Sequence, residues 1–320
     1  MSATAGGVIL RRLRDADGSM TLDRRHFLLS GAAAVLSGPV AAQADPIAGL
    51  VDQVSTDALV NVVHGLTRFP TRFTGHPNFP TVEGWMHDLM ALQGDVTRFG
   101  FQMPSGKTRH NFILGDASDT RGVILIGAHY DSTSEDPLNN APGANDNATG
   151  VAAMLEAYRI LSGAGLNKSI VAVAFAGEEQ GLFGSAALAE FARAEGWPIE
   201  MMVNLDMLGW RPPDPNAPMI VEYDMGNAVA GNDAASVAFG RLMANVAAQY
   251  TTLNTTHANI WSSDYMPFEA AGFPAMGLYD GGVASPRYGT SRDIAEVIDF
   301  DRLEQATRMV VAGVARYCGG

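Results

Sequence analysis

The stretch VAVAFAGEEQG, residues 171–181, decides how the rest of the chain is read. It runs without a polar break from Val171 to Ala176, which suits a strand buried on both faces. It then ends in two adjacent acids, Glu178 and Glu179. Neighbouring carboxylates repel when ionised, and burying either one without a partner is costly. The pair therefore lies in water, or a positive centre sits among these acids and other groups.

Similar apolar runs flank this one. Strands are expected at 111–116, 122–131, 170–177, 201–209, 218–223 and 273–280. Helical spacing marks 47–66, 81–93, 149–161, 182–195, 233–250 and 299–317. Fully apolar strands alternating with helices imply an α/β fold: a three-layer α/β/α sandwich around a mostly parallel mixed sheet, in a single domain. Ligands of such open sheets bind beyond the carboxyl ends of the strands. His129, Asp131, Glu178, Glu179 and Asp206 all fall at such ends, and Asp146 lies just before the helix that follows His129. Six groups able to bind metal or move protons are thus aimed at one crevice.

One imidazole among carboxylates, with no thiolate, suits zinc or another divalent ion held by nitrogen and oxygen. A cation also removes the repulsion between Glu178 and Glu179. Successive residues point different ways, so one glutamate can ligate while the other faces a water acidified by the ion. The reaction class this implies is metal-assisted hydrolysis.

Bulk properties narrow the field. A formal net charge of −13 disfavours nucleic-acid binding, which needs basic patches. The lone cysteine, Cys318, excludes an internal disulfide framework and a cysteine metal cluster. No apolar stretch reaches membrane-spanning length, so no stable membrane anchor is expected. The segment DRRHFLLSGAAAVLSGPVAAQA (23–44) pairs Arg24 with Arg25, continues apolar from Phe27 to Leu36 and closes on Ala42-Gln43-Ala44. It reads as a twin-arginine export signal over residues 1–44, with the catalytic domain over 45–320 and a periplasmic or secreted destination.

The blocks GAHYDS (127–132), APGANDNATGVA (141–152), AFAGEEQGLFGS (174–185), NLDMLG (204–209) and SSDYMPFEAAGFPAM (262–276) resemble, in order and spacing, the secreted zinc aminopeptidases with two co-catalytic zincs. The resemblance runs from about Val54 onward. It implies that His129 and Asp206 bind one zinc, that Asp146 bridges to a second, and that Glu179 ligates the second. It further implies Glu178 as general base, Asp131 as the residue orienting the His129 ring, a cis peptide after Asp146, and a peptide or small amide as substrate. The family's last ligand is a histidine in a block that here reads RYGTSRD (287–293), with Gly289 at the histidine's place. One site then keeps His129, Asp146 and Asp206, while the other keeps only Asp146 and Glu179, so one tight zinc is expected. His257, Tyr288 and Asp293 are the residues that could replace the missing ligand. Two other functions stand beside an aminopeptidase. One is a metal-depleted, non-catalytic binding protein. The other is a glutaminyl cyclase-like enzyme, which by resemblance uses a single zinc on the equivalents of Asp146, Glu179 and the missing histidine.

Overall fold

A computed structural model describes residues 45–226 and 229–319. The proposed export segment, 1–44, lies outside the described residues. The chain begins with α1 (Pro46–Val51), α2 (Thr56–Thr67) and α3 (Phe79–Met90), followed by the strands β1 (Val96–Gln102), β2 (Thr108–Leu114) and β3 (Val123–His129). Then come α4 (Gly150–Leu161), β4 (Ser169–Phe175), α5 (Phe183–Ala194), β5 (Ile199–Leu205) and β6 (Met219–Tyr223). The chain continues through α6 (Asp233–Tyr250), β7 (Thr255–Ala258), α7 (Tyr265–Ala270), β8 (Ala275–Tyr279) and α8 (Phe300–Tyr317).

The eight strands form one mixed sheet in the order β1-β2-β4-β3-β5-β8-β6-β7. The central pairs β4-β3, β3-β5 and β5-β8 are parallel, while β1-β2, β2-β4 and β6-β8 are antiparallel. Alternation along β3 and β4 explains the layers. Ile124, Ile126, Ala172 and Ala174 point into a core shared with α4 and α8, whereas Leu125, Val171, Val173 and Phe175 meet Leu188 and Phe268 of α5 and α7 on the other face. Burial on both faces is why these strands are apolar throughout.

The differences from the sequence expectation lie at the margins. The helical stretch 47–66 is two helices, because Asp52 caps the first and the Ser55 hydroxyl accepts Ala58 N–H to start the second. Strands β1 and β7 and the short helix α7 carried no expectation. β1 is an edge strand exposed at most positions, and β7 is four residues long and only half-buried at best, so neither shows an apolar run.

Candidate metal centre

The site forms where β3, β4 and β5 end side by side. β3 delivers His129 and, two residues on, Asp131. The turn after β4 delivers Glu178 and Glu179, and the end of β5 delivers Asp206. Asp146 enters from the segment leading into α4, where the Asp146–Asn147 peptide is cis, as the sequence resemblance implied. Just beyond Asp206, Met207 is held at φ +54, a left-handed conformation rare for a side chain with a Cβ. Its N–H is fastened to Asn147 Oδ1 at 3.2 Å.

His129 is almost wholly buried, and its Nδ1 lies 3.2 Å from the main-chain oxygen of Asp131. Nδ1–H therefore donates to that carbonyl, and the Nε2 lone pair faces the acids. Nε2 lies 3.2 Å from Asp146 Oδ1, 3.5 Å from Asp206 Oδ1 and 3.9 Å from Glu178 Oε2. It makes no hydrogen bond, and neither does Asp206 Oδ1. One ligand atom each from His129, Asp146 and Asp206 falls within a common 4.8 Å. A buried imidazole nitrogen and an Asp206 oxygen, neither with a hydrogen bond, converge with an Asp146 oxygen, and this donor set fits a zinc ion.

The electrostatics agree with that fit. Burial, and then the charges of neighbouring carboxylates, push Glu178 and Glu179 well above the usual carboxylate range. Burial disfavours the charged His129 ring, but the charges of Glu178 and Asp206 outweigh it and raise its pKa. Burial likewise opposes ionisation of Asp206, but His129 and a hydrogen bond from Ser263 lower its pKa. A divalent cation offsets repulsion that a single imidazole cannot.

Asp131 meets the His129 ring through its main chain, and its carboxylate is engaged elsewhere. It reaches the ring through its main-chain oxygen, and its carboxylate stands 3.7 Å from Nδ1. That carboxylate instead accepts the backbone N–H groups of Glu178 and Glu179, both at 3.3 Å, and so fixes the turn that carries the two acids. Of the candidate replacement ligands, Asp293 is occupied with the backbone of Asn145 and Asp146. His257 is exposed and stacks on Tyr223, and it is not among the converging ligand atoms. Tyr288 does border the acids, and burial together with Asp146 and Glu179 raises its hydroxyl to about 12. Gly289 beside it has φ +62.

Several supporting residues were not singled out from the sequence, although Ser263, Asp264 and Asn204 lie in blocks that carry the resemblance. Arg72, fully buried, donates to the carbonyls of Tyr130, Pro142 and Gly143, bracing both segments that supply ligands. Ser263 donates to Asp206 Oδ2 at 2.6 Å and accepts from Asn204 at 2.8 Å. Asp264, also fully buried, is raised to about 7 by burial, against the pull of His129. A cavity of about 480 Å³ opens from the acids toward Trp261, Ile220 and Val283.

Residues 112–314, more than half of the chain, match Peptidase family M28. The chain belongs to this family. All six candidate site residues fall inside the matched span. A probable zinc metalloprotease of Pyrenophora tritici-repentis is 31% identical over 188 residues, covering 50% of this chain and 43% of that protein. An aminopeptidase of Bacillus subtilis is 31% identical over 199 residues, covering 60% of this chain and 40% of that protein. The chain thus spans less than half the length of these relatives. The crystal structure of the LapA aminopeptidase of Legionella pneumophila shares the fold, with a TM-score of 0.72 at 18% identity over 91% of this chain and 80% of that one.

Proposed function

We propose that this M28 chain is a zinc-dependent aminopeptidase, with His129, Asp146 and Asp206 holding one tight zinc and Glu178 acting as general base. The observation that carries the reading is the buried His129 Nε2, without a hydrogen bond, facing Asp146 and Asp206 with Glu178 at 3.9 Å. The chemistry that zinc supplies when bound is Lewis acidity toward the scissile carbonyl and a lowered pKa for water. Glu178 takes the proton of the attacking water and returns it to the leaving amine, a role suited to a carboxyl that burial makes more basic than usual. Asp131 holds the main chain of Glu178 in place for that transfer. The surplus of acids where the cavity meets the metal centre favours a substrate's free α-ammonium, which selects cleavage at the N-terminus.

The absence of a histidine at Gly289 favours a second reading, a non-catalytic relative that binds peptides. The two separate in one experiment. Zinc per chain is measured together with hydrolysis of a panel of aminoacyl arylamides, with and without chelator. The aminopeptidase reading expects about one zinc per chain and hydrolysis that chelator removes and zinc restores. Zinc-loaded protein that cleaves no substrate with a free N-terminus supports the binding protein. We further propose that residues 1–44 direct twin-arginine export, on the strength of Arg24, Arg25 and the apolar run after them.

A further inference from the structure

The cavity that opens from the metal centre has an uneven lining. Among the described residues, five charged side chains border it, and all are acidic. Four of them, Asp146, Glu178, Glu179 and Asp206, belong to the centre. The fifth, Glu222, does not. It sits on β6, two strands across from β5, in the cross-strand row Asn204, Gly277, Glu222. Two strand spacings place its backbone about 10 Å from that of Asn204. Residues paired across a sheet share a face, so Glu222 rises on the same side as Asn204 and Asp206.

The surroundings give Glu222 a single hydrogen bond. It is only 8% exposed and takes one hydrogen bond, from the Tyr265 hydroxyl at 2.8 Å. That hydroxyl is itself fixed, since it accepts the Trp261 N–H at 2.7 Å. Gly277 clears the space between the strands, because a Cβ there would fall 2.4 Å from the Tyr265 ring and 3.2 Å from Glu222 Oε2. Part of the remaining wall is apolar, with Ile220, Met207, Tyr279 and the exposed Trp261 and Val283, while Asn259, Ser262 and Ser263 add polar groups. Burial raises the Glu222 carboxyl to about 7, and the hydrogen bond from Tyr265 only partly offsets this. No basic residue of the described chain lines the cavity to pair with it.

We propose that Glu222 is the specificity determinant of the cavity, accepting the cationic head of a lysine or arginine at the substrate's N-terminal position while the apolar wall packs against its methylene stem. The proposal rests on the aminopeptidase reading and names the substrate class of that site. The stem-and-head match is physical: long basic side chains bury their carbons along apolar surface and keep the charge on a carboxylate. A leucine side chain can meet the apolar part of the wall but brings no cation to Glu222, which then keeps only the Tyr265 hydroxyl.

The test compares lysyl, arginyl and norleucyl arylamides at about pH 8, where Glu222 is mostly ionised. Norleucine keeps the stem and lacks the charge, and all three substrates share the α-ammonium. The wild-type kcat/KM is expected to favour the basic substrates by about ten- to hundredfold, the range of a charge-assisted hydrogen bond. Glu222→Gln should reduce the lysyl-to-norleucyl ratio at least about tenfold. A wild-type ratio near one, or a ratio that survives Glu222→Gln, overturns the proposal. Calorimetric binding of lysinamide and norleucinamide to zinc-loaded Glu178→Gln protein, with and without Glu222→Gln, reads the subsite without turnover. If no arylamide is cleaved, the peptidase reading falls and binding alone decides. Preference for lysinamide that depends on Glu222 sustains the subsite, and equal binding ends it.

Discussion

The carboxylate of Asp293 accepts the backbone N–H of Asp146 at 2.9 Å, across 147 residues of sequence. It also accepts the N–H of Asn145, and its own main-chain oxygen takes the N–H of Ala144. The loop after Gly289 thus pins the segment that presents Asp146, even though it lacks the histidine. Asp293→Ala leaves these buried amides without a partner and frees Asp146 to move. Zinc affinity, measured by competition with a chromophoric chelator, should fall about tenfold or more, as for other supports of metal ligands. An unaltered affinity would show that Asp146 is positioned by other contacts.

The two adjacent glutamates should separate by substitution. Glu178→Gln is expected to lower turnover by about a hundredfold or more while zinc content stays at the wild-type level, because its partner is the water. Glu179→Gln should act mainly on retention of metal beyond the first ion, seen as a weaker second phase in a zinc titration. Equal effects of the two variants on both metal content and rate would contradict this division.

Gly289→His tests whether only a side chain is missing. Apart from its chain neighbours, no atom lies within 4 Å of a Cβ built at this position, so a Cβ meets open space. The backbone, however, sits at φ +62, where a residue with a Cβ costs about 1–2 kcal/mol. The variant should melt several degrees below wild type and take up no additional zinc. Additional tight zinc without loss of stability would show that the loop accepts a histidine at no cost.

Asp280 predicts a pH dependence of stability. It is buried, its Oδ2 accepts Trp210 N–H and Asn145 Nδ2, and burial raises it from 3.8 to about 8. Between those values the folded form holds a proton that the unfolded chain has lost. Its stabilising contribution is therefore full at low pH and disappears as pH rises through about 8. Asp280→Asn removes this component. Urea unfolding at about pH 5 and about pH 9 should show the variant gaining at least about 1 kcal/mol relative to wild type at the higher pH. Parallel behaviour at both pH values would count against it.

Export can be tested apart from catalysis. Replacing Arg24 and Arg25 together with lysine should hold folded, uncleaved protein in the cytoplasm, because the signal is read through the arginine pair. Fractionation that still finds the variant in the periplasm would point to a different route.

The sequence by itself determined the layers and the candidate ligands. An unbroken apolar run such as Val171–Ala176 can be buried on both faces only in a covered, largely parallel sheet, and that pattern is local. The acids stand out for the same reason: Glu178, Glu179 and Asp206 end apolar strands, where an unpartnered carboxylate is costly. The two edge strands were not legible, since β1 and the short β7 are exposed and need no apolar run to hold them.

Only the tertiary structure decided which groups meet. That Asp131 binds the amides of Glu178 and Glu179 with its carboxylate, and touches His129 with its main chain, depends on β3 and β4 ending in register. Arg72 lies in a loop with no pattern of its own, and its meaning comes from the carbonyls that surround it. Glu222 reads as an ordinary acid in a short strand until Gly277 and Tyr265 place it beside the cavity. The sequence marks Gly289 as a lost ligand, but its left-handed backbone follows from the path of the loop. Patterning acts between residues a few positions apart, whereas these contacts join segments tens to hundreds of residues apart, which sheet order and the paths of the loops bring together.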